Sequence, residues 1–170
     1  FDLAGVHRFQ NAGQKADDAR ALRAQYRQDS GPLQDRARSF TTIAQAYSKP
    51  RQANEKESGL NDAQMLLGYA RMLDPESVVR EGEREFVRKT AALPDWVSNL
   101  YDQVAKGKQL TQTQRDEILR NSYDLYKAEE QRFSPVTENY RNTAIAQGLN
   151  PEHVVTPYGL TNEQKKRYEI

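Results

Sequence analysis

Glu76, Glu81, Glu83 and Glu85 crowd four carboxylates into ten residues. Two carboxylates held across a cleft can hydrolyse a glycosidic bond, one as acid and one as base or nucleophile. Here they alternate with Arg80, Arg84 and Arg88. The arginines neutralise them, and the stretch reads as a solvated or inter-subunit salt-bridge surface. The two histidines, His7 and His153, stand near opposite ends of the chain with no metal-ligand partner at helical spacing. No nucleophile elbow, phosphate loop or dinucleotide fingerprint occurs. The expectation is therefore no enzyme, no cofactor and no metal in these residues.

One other set of side chains has the chemistry for a ligand. Arg20, Arg23 and Arg27 recur at three and four, and Arg36 and Arg38 follow in the next helical stretch. Over residues 14–51, eight basic residues face four acidic ones. A basic helical surface can contact phosphate without reading sequence. The same residues also read as a solvated face with local ion pairs.

The elements that carry these residues are helical. Residues 14–28 place Ala19, Leu22 and Tyr26 on a narrow apolar stripe. Ser30-Gly31-Pro32 breaks that helix, and Pro32 suits the start of the next, which runs to Ser48. Residues 1–13 read as an irregular lead-in and residues 50–59 as a connection. Residues 62–73 are apolar nearly all round, which marks burial on nearly all sides. Asp74 caps a new turn with Pro75 at its first position. Gly82 bends or interrupts the helix that follows. Pro94 begins another helix, closed by Gly107, with Trp96, Val97, Leu100, Tyr101 and Val104 on its apolar face. Thr111 and Gln114 form a capping box. The longest helix follows, and Leu119, Tyr123, Tyr126, Phe133 and Tyr140 keep a seam at threes and fours that another helix can lie against. Pro135 is expected to kink or restart it. Residues 151–155 add one more turn, and residues 156–170 read as a weakly specified tail.

Composition bounds the assembly of these parts. The 170 residues contain no cysteine, so disulfides are excluded. Basic and acidic residues nearly cancel, 25 against 24, which gives no global electrostatic case for nucleic acid. Apolar content is 36% and mean hydropathy −0.96. That is below the roughly 45–50% of compact domains, a reference that also counts Gly. No run reaches the ~18 apolar residues of a membrane span. The expectation is an all-α, elongated bundle or arch of about six helices, partly stabilised by neighbouring chains. It divides into an N-terminal arm of two helices (1–59), a helical core (60–149) and the tail (150–170). Because the first residue is Phe1, the chain reads as a processed product or the ordered part of something longer.

The segment Met72-Leu73-Asp74-Pro75-Glu76-Ser77-Val78-Val79-Arg80-Glu81-Gly82-Glu83 resembles a motif of bacteriophage internal virion proteins. These are the DNA-ejection proteins of short-tailed phages. The motif also occurs in related large virion proteins that carry a peptidoglycan-cleaving domain. The likeness continues in order through Leu93-Pro94-Asp95-Trp96, Asn99, Tyr101, Gly107, Leu110-Thr111 and Gln114-Arg115. It ends on a long helix with Tyr123, Tyr126, Tyr140 and Arg141.

The resemblance implies a structural segment that oligomerises into a ring or channel at the portal or tail, with other ejection proteins as partners. It implies a place in the virion interior, and in the host periplasm or envelope after ejection. Met65, Leu66, Tyr69, Met72 and Leu73 would supply the assembly contact. Asp74, Pro75, Arg80, Glu81 and Glu83 would fix the helix junction. The apolar helix equally reads as the buried centre of one domain. Two further readings stand beside this one. One is a basic DNA-binding module carried by Arg20, Arg23, Arg27, Arg36 and Arg38. The other is a non-catalytic region of a peptidoglycan-degrading virion protein.

Overall fold

The computed structural model describes residues 3–49, 55–74, 94–157 and 160–168. All regular structure among them is helical: α1 (Leu3–Asp29), α2 (Gly31–Ser48), α3 (Glu55–Leu73), α4 (Asp95–Ala105), α5 (Gln112–Ala146) and α6 (Asn162–Tyr168). A single 3-10 turn, Pro151–His153, follows α5.

The axis of the molecule is α5. Its 35 residues span about 52 Å at ~1.5 Å per residue. Thr111 accepts the Gln114 N–H, and Gln114 Oε1 accepts the Thr111 N–H, so the predicted capping box starts the helix. The predicted seam runs down its buried side, and α1 and α2 lie end to end along it, both antiparallel to α5. Tyr47 donates to Asp116, Phe40 packs on Tyr123 and Tyr126, and Tyr26 packs on Phe133 and Tyr140. As the number rises on α2 and α1, the partner's number on α5 falls. Ser30 breaks the path between α1 and α2, and Pro32 sits in the first turn of α2 as expected.

The second layer is α3, antiparallel to α2. At Gly68 the two helices approach so closely that an added Cβ would lie 2.7 Å from Ile43 Cγ1. A side chain there would push the helices apart, so glycine is the residue that lets α2 and α3 interlock. α4 covers the remaining side of α3, with the Trp96 and Tyr69 rings 5.6 Å apart. Gly107 and Gly148 close α4 and α5 with positive φ, 85° and 68°, where a Cβ would strain the backbone.

These contacts build one continuous core. Phe40, Ile43, Met65, Leu66, Met72, Val97, Ile118 and Tyr126 are all essentially inaccessible within this one chain. Met65, Leu66, Tyr69 and Met72 were open to two readings, an assembly contact or the buried centre of one domain. The chain's own α2, α4 and α5 cover them, and Leu73 packs against the same cluster. A low overall apolar content still supports this core, because the apolar residues concentrate on facing stripes and the polar ones line the outside.

Three expectations change, for the lead-in, the connection and the tail. Residues 3–13 are helical, not irregular: α1 begins at Leu3. Helix α3 begins at Glu55, inside the expected connection. At Pro135, where a kink or a restart was expected, helix α5 is not interrupted. Pro135 is exposed, so the carbonyl it leaves unpaired one turn back can meet water, while Phe133 and Val136 hold the helix on the core side. The tail holds α6, whose Tyr168 packs edge-on to Phe40 at 5.1 Å. Pro75, Arg80, Glu81, Gly82 and Glu83 lie outside the described residues.

Candidate functional site

Charged groups meet across the helices in several places, and two of these constellations join α2, α3 and α5. The first is inside. Asp62, near the middle of α3, is fully buried and accepts from Arg115 Nη1 at 3.1 Å and from the Leu110 N–H at 2.8 Å. Arg115 Nη2 donates to the carbonyls of Ala46 and Tyr47 at 3.4 and 3.0 Å. Its guanidinium also lies over the Tyr47 ring. The site joins the end of α2, α3 and the start of α5. With both charges paired and the carbonyls used, its role is to hold these elements in register.

The second constellation is a cleft of about 830 Å³ between the first half of α2, the end of α3 and α5. Asp35, Arg36, Arg38, Arg71, Asp74, Glu129 and Arg132 supply its charged groups. Among the described residues, four guanidiniums thus face three carboxylates. Two of the pairings are loose: Arg38 Nη1 is 3.7 Å from Asp35, and Arg132 Nε is 3.9 Å from Glu129. Arg38 and Asp35 are both exposed, and pairs of that kind are worth about 0–1 kcal/mol and exchange readily, whereas Glu129 is mostly buried beneath an exposed Arg132. Arg36 Nη1 is buried in the wall with no hydrogen-bond partner among the described residues. A buried donor left so costs about 1–3 kcal/mol. Arg36 is therefore poised to gain from an acceptor.

The expected basic surface divides in two. Arg36 and Arg38 open on the cleft, whereas Arg20, Arg23 and Arg27 do not line it. Those three are exposed on α1, and Arg20 is held 3.6 Å from Asp17. The cleft gains Arg71 and Arg132 instead, neither singled out by the sequence. Their separation from Arg36 along the chain hid them, since only the antiparallel packing of α3 and α5 on α2 brings them together. Asp74 N–H closes the end of α3 by donating to Ala70 O, and its residue lines the same cleft.

The seam residues Leu119, Tyr123, Tyr126, Phe133 and Tyr140 form an internal face. Its polar tips are also used. Tyr140 donates to Asp29, and burial, then that carboxylate, pushes its phenol up to about 12. Tyr126 donates to Glu130 at 2.5 Å and accepts the Leu160 N–H at 2.7 Å, while Lys165 reaches Glu130 at 2.6 Å. Burial first, and the Glu130 bond second, raise the Tyr126 phenol strongly. This cluster clasps α6 to the body.

A third surface is apolar. Ala19 and Tyr26 are the buried residues of α1, and residues 6–18 are all exposed. Leu3, Val6 and Phe9 are 63%, 37% and 83% accessible. At ~100° per residue they centre roughly 150° around the helix from Ala19 and Tyr26. They therefore face away from the body.

His7 and His153 are both exposed and lie on α1 and the 3-10 turn. Among the described residues no three His, Cys, Asp or Glu side chains cluster to hold a metal ion, and no helix is long and apolar enough to cross a membrane. Compared with family models, curated proteins and solved structures, the chain has no match in any of the three.

Proposed function

We propose that this chain is a structural, non-catalytic segment of a phage DNA-ejection protein. It assembles with copies of itself into a ring or channel near the portal or tail, alongside other ejection proteins. Its place is the virion interior, then the host periplasm or envelope after ejection. The observation that carries the reading is the ordered motif from Met72 to Glu83, followed by Pro94, Gly107, Thr111, Gln114-Arg115, Tyr123, Tyr126 and Tyr140. Those of these residues that are described are framework residues. Thr111 and Gln114 cap α5, Arg115 pairs inside with Asp62, and the tyrosines line the seam. A motif of that kind identifies an architecture, which suits a building block better than an enzyme.

The exposed half of α1 supports assembly. An isolated helix shorter than about 12–15 residues is marginal in water. Residues 3–14 have almost no cover from this chain, and their apolar stripe faces outward. A neighbouring subunit that buries Leu3, Val6 and Phe9 supplies what the fold leaves open. We therefore place the assembly contact on α1, since Met65, Leu66, Tyr69 and Met72 are buried and Leu73 is half-buried within this chain.

Sedimentation velocity on the full-length protein, with and without the other virion proteins, tests the assembly. Species above the monomer are expected, and they should diminish in a Leu3→Ser/Val6→Ser/Phe9→Ser variant that keeps its helical circular dichroism. A stable folded monomer under every condition would overturn the reading. The exposed Arg20, Arg23 and Arg27 favour a second reading, in which α1 makes non-specific contact with packaged DNA. Binding to random duplex that weakens steeply with salt supports it, and salt-insensitive or absent binding removes it.

A further inference from the structure

We propose that the cleft between α2, the end of α3 and α5 binds a phosphate-bearing anion, through Arg36, Arg71 and Arg132. The proposal does not depend on the virion reading. Guanidinium is the side chain suited to phosphate: it stays charged at every working pH and offers paired N–H donors in a fixed plane. Three separate helices bring such groups to one cavity. A solvated charge run would lie along one helix and face water, but here the arginines converge on a concave space.

Two features distinguish this cleft from a surface with balanced charge. Arg36 lines the cleft, and its inaccessible Nη1 meets no acceptor among the described residues. Arg71, at the end of α3, has no ion pair among the described residues. The other two arginines are held only by loose contacts to Asp35 and Glu129, which an incoming anion can replace. The volume of about 830 Å³ exceeds what a single phosphate fills. It falls in the range of sites that hold whole small-molecule ligands, roughly 300–1,000 Å³. The carboxylates lower the affinity for a lone monovalent ion, so the ligand carries several phosphate charges. Two sources fit that chemistry: a free di- or polyphosphate, and the phosphodiester backbone of a single strand.

Titration of the full chain with inorganic pyrophosphate, and separately with a fluorescent oligothymidine, tests the proposal. Saturable binding of at least one probe at moderate salt is expected. Arg71→Gln and Arg132→Gln should each weaken it roughly tenfold. Both positions are exposed, and unchanged thermal melting would show that the fold is intact. Lys108→Gln, in the exposed loop between α4 and α5 and outside the cleft lining, should leave binding unchanged. Pyrophosphate binding alone assigns a free anion, and oligothymidine binding assigns a strand backbone. Absence of saturable binding with both probes overturns the proposal. So does binding that survives Arg71→Gln and Arg132→Gln, or that falls equally with Lys108→Gln.

Discussion

The carboxylate of Asp62 and the guanidinium of Arg115 meet at 3.1 Å inside the protein, 53 residues apart in sequence. Neither side chain is more than 3% exposed. Desolvation makes such a pair a weak source of stability, but losing one member strands the other charge. Asp62→Ala should therefore destabilise the fold by about 3–5 kcal/mol. The double replacement Asp62→Leu/Arg115→Met should recover much of that loss. Urea unfolding of the two variants beside the unsubstituted protein measures it. A single replacement costing under 1 kcal/mol would show that the pair does not hold α2, α3 and α5 in register.

Gly68 makes a different demand, set by shape. Alanine normally stabilises a helix interior over glycine by about 1 kcal/mol. Here its Cβ would lie 2.7 Å from Ile43 Cγ1. Overpacking of this kind typically costs about 1–3 kcal/mol, so Gly68→Ala should be net destabilising. Adding Ile43→Ala should relieve the clash, and the two changes should be non-additive in thermal or urea melts.

The legibility of this fold follows from where the signals are local. Pro32, Gly107 and the Thr111–Gln114 box act within a few residues of themselves, and each marked its helix end correctly. The α5 seam was legible because its period persists over the whole helix. The first half of α1 was not, because Leu3, Val6 and Phe9 form a short stripe on the face opposite to the core. α6 was missed because its sequence is polar and only Tyr168 and Lys165 tie it down. The Asp62–Arg115 pair and the arginine cleft were out of reach for another reason. Both are made by the antiparallel packing of distant helices, and nothing local in Arg71, Arg132 or Arg115 reveals a partner.

The clasp on α6 turns on one hydroxyl. Tyr126→Phe removes the acceptor of the Leu160 N–H and the donor to Glu130. The expected result is faster hydrogen exchange at the Leu160 amide, by roughly tenfold for a bond worth about 1 kcal/mol or slightly more. Amides in the middle of α2 should keep their protection. Equal acceleration throughout would mean that α6 is integral to global stability and not a separable clasp.

Alkaline pH should act through the raised tyrosines. Tyr140 is shifted from the ordinary 10 up to about 12, and Tyr126 is shifted in the same direction. A raised phenol keeps its proton longer in the folded state than in the unfolded one. The stability it contributes is complete below pH ~10 and is lost as pH rises from there through the folded value. Urea midpoints should therefore fall between pH 10 and 12. Tyr140→Phe should flatten that fall, and ultraviolet titration should show late-ionising phenols among the nine tyrosines.

The proposed role requires the protein to be packaged in the virion and to leave with the genome. Quantitative mass spectrometry of purified phage particles, before and after triggered DNA release, tests it most directly. The account predicts several copies of this protein per intact particle and their loss from the emptied capsid along with the genome. Absence from intact particles, or full retention in emptied ones, would contradict it.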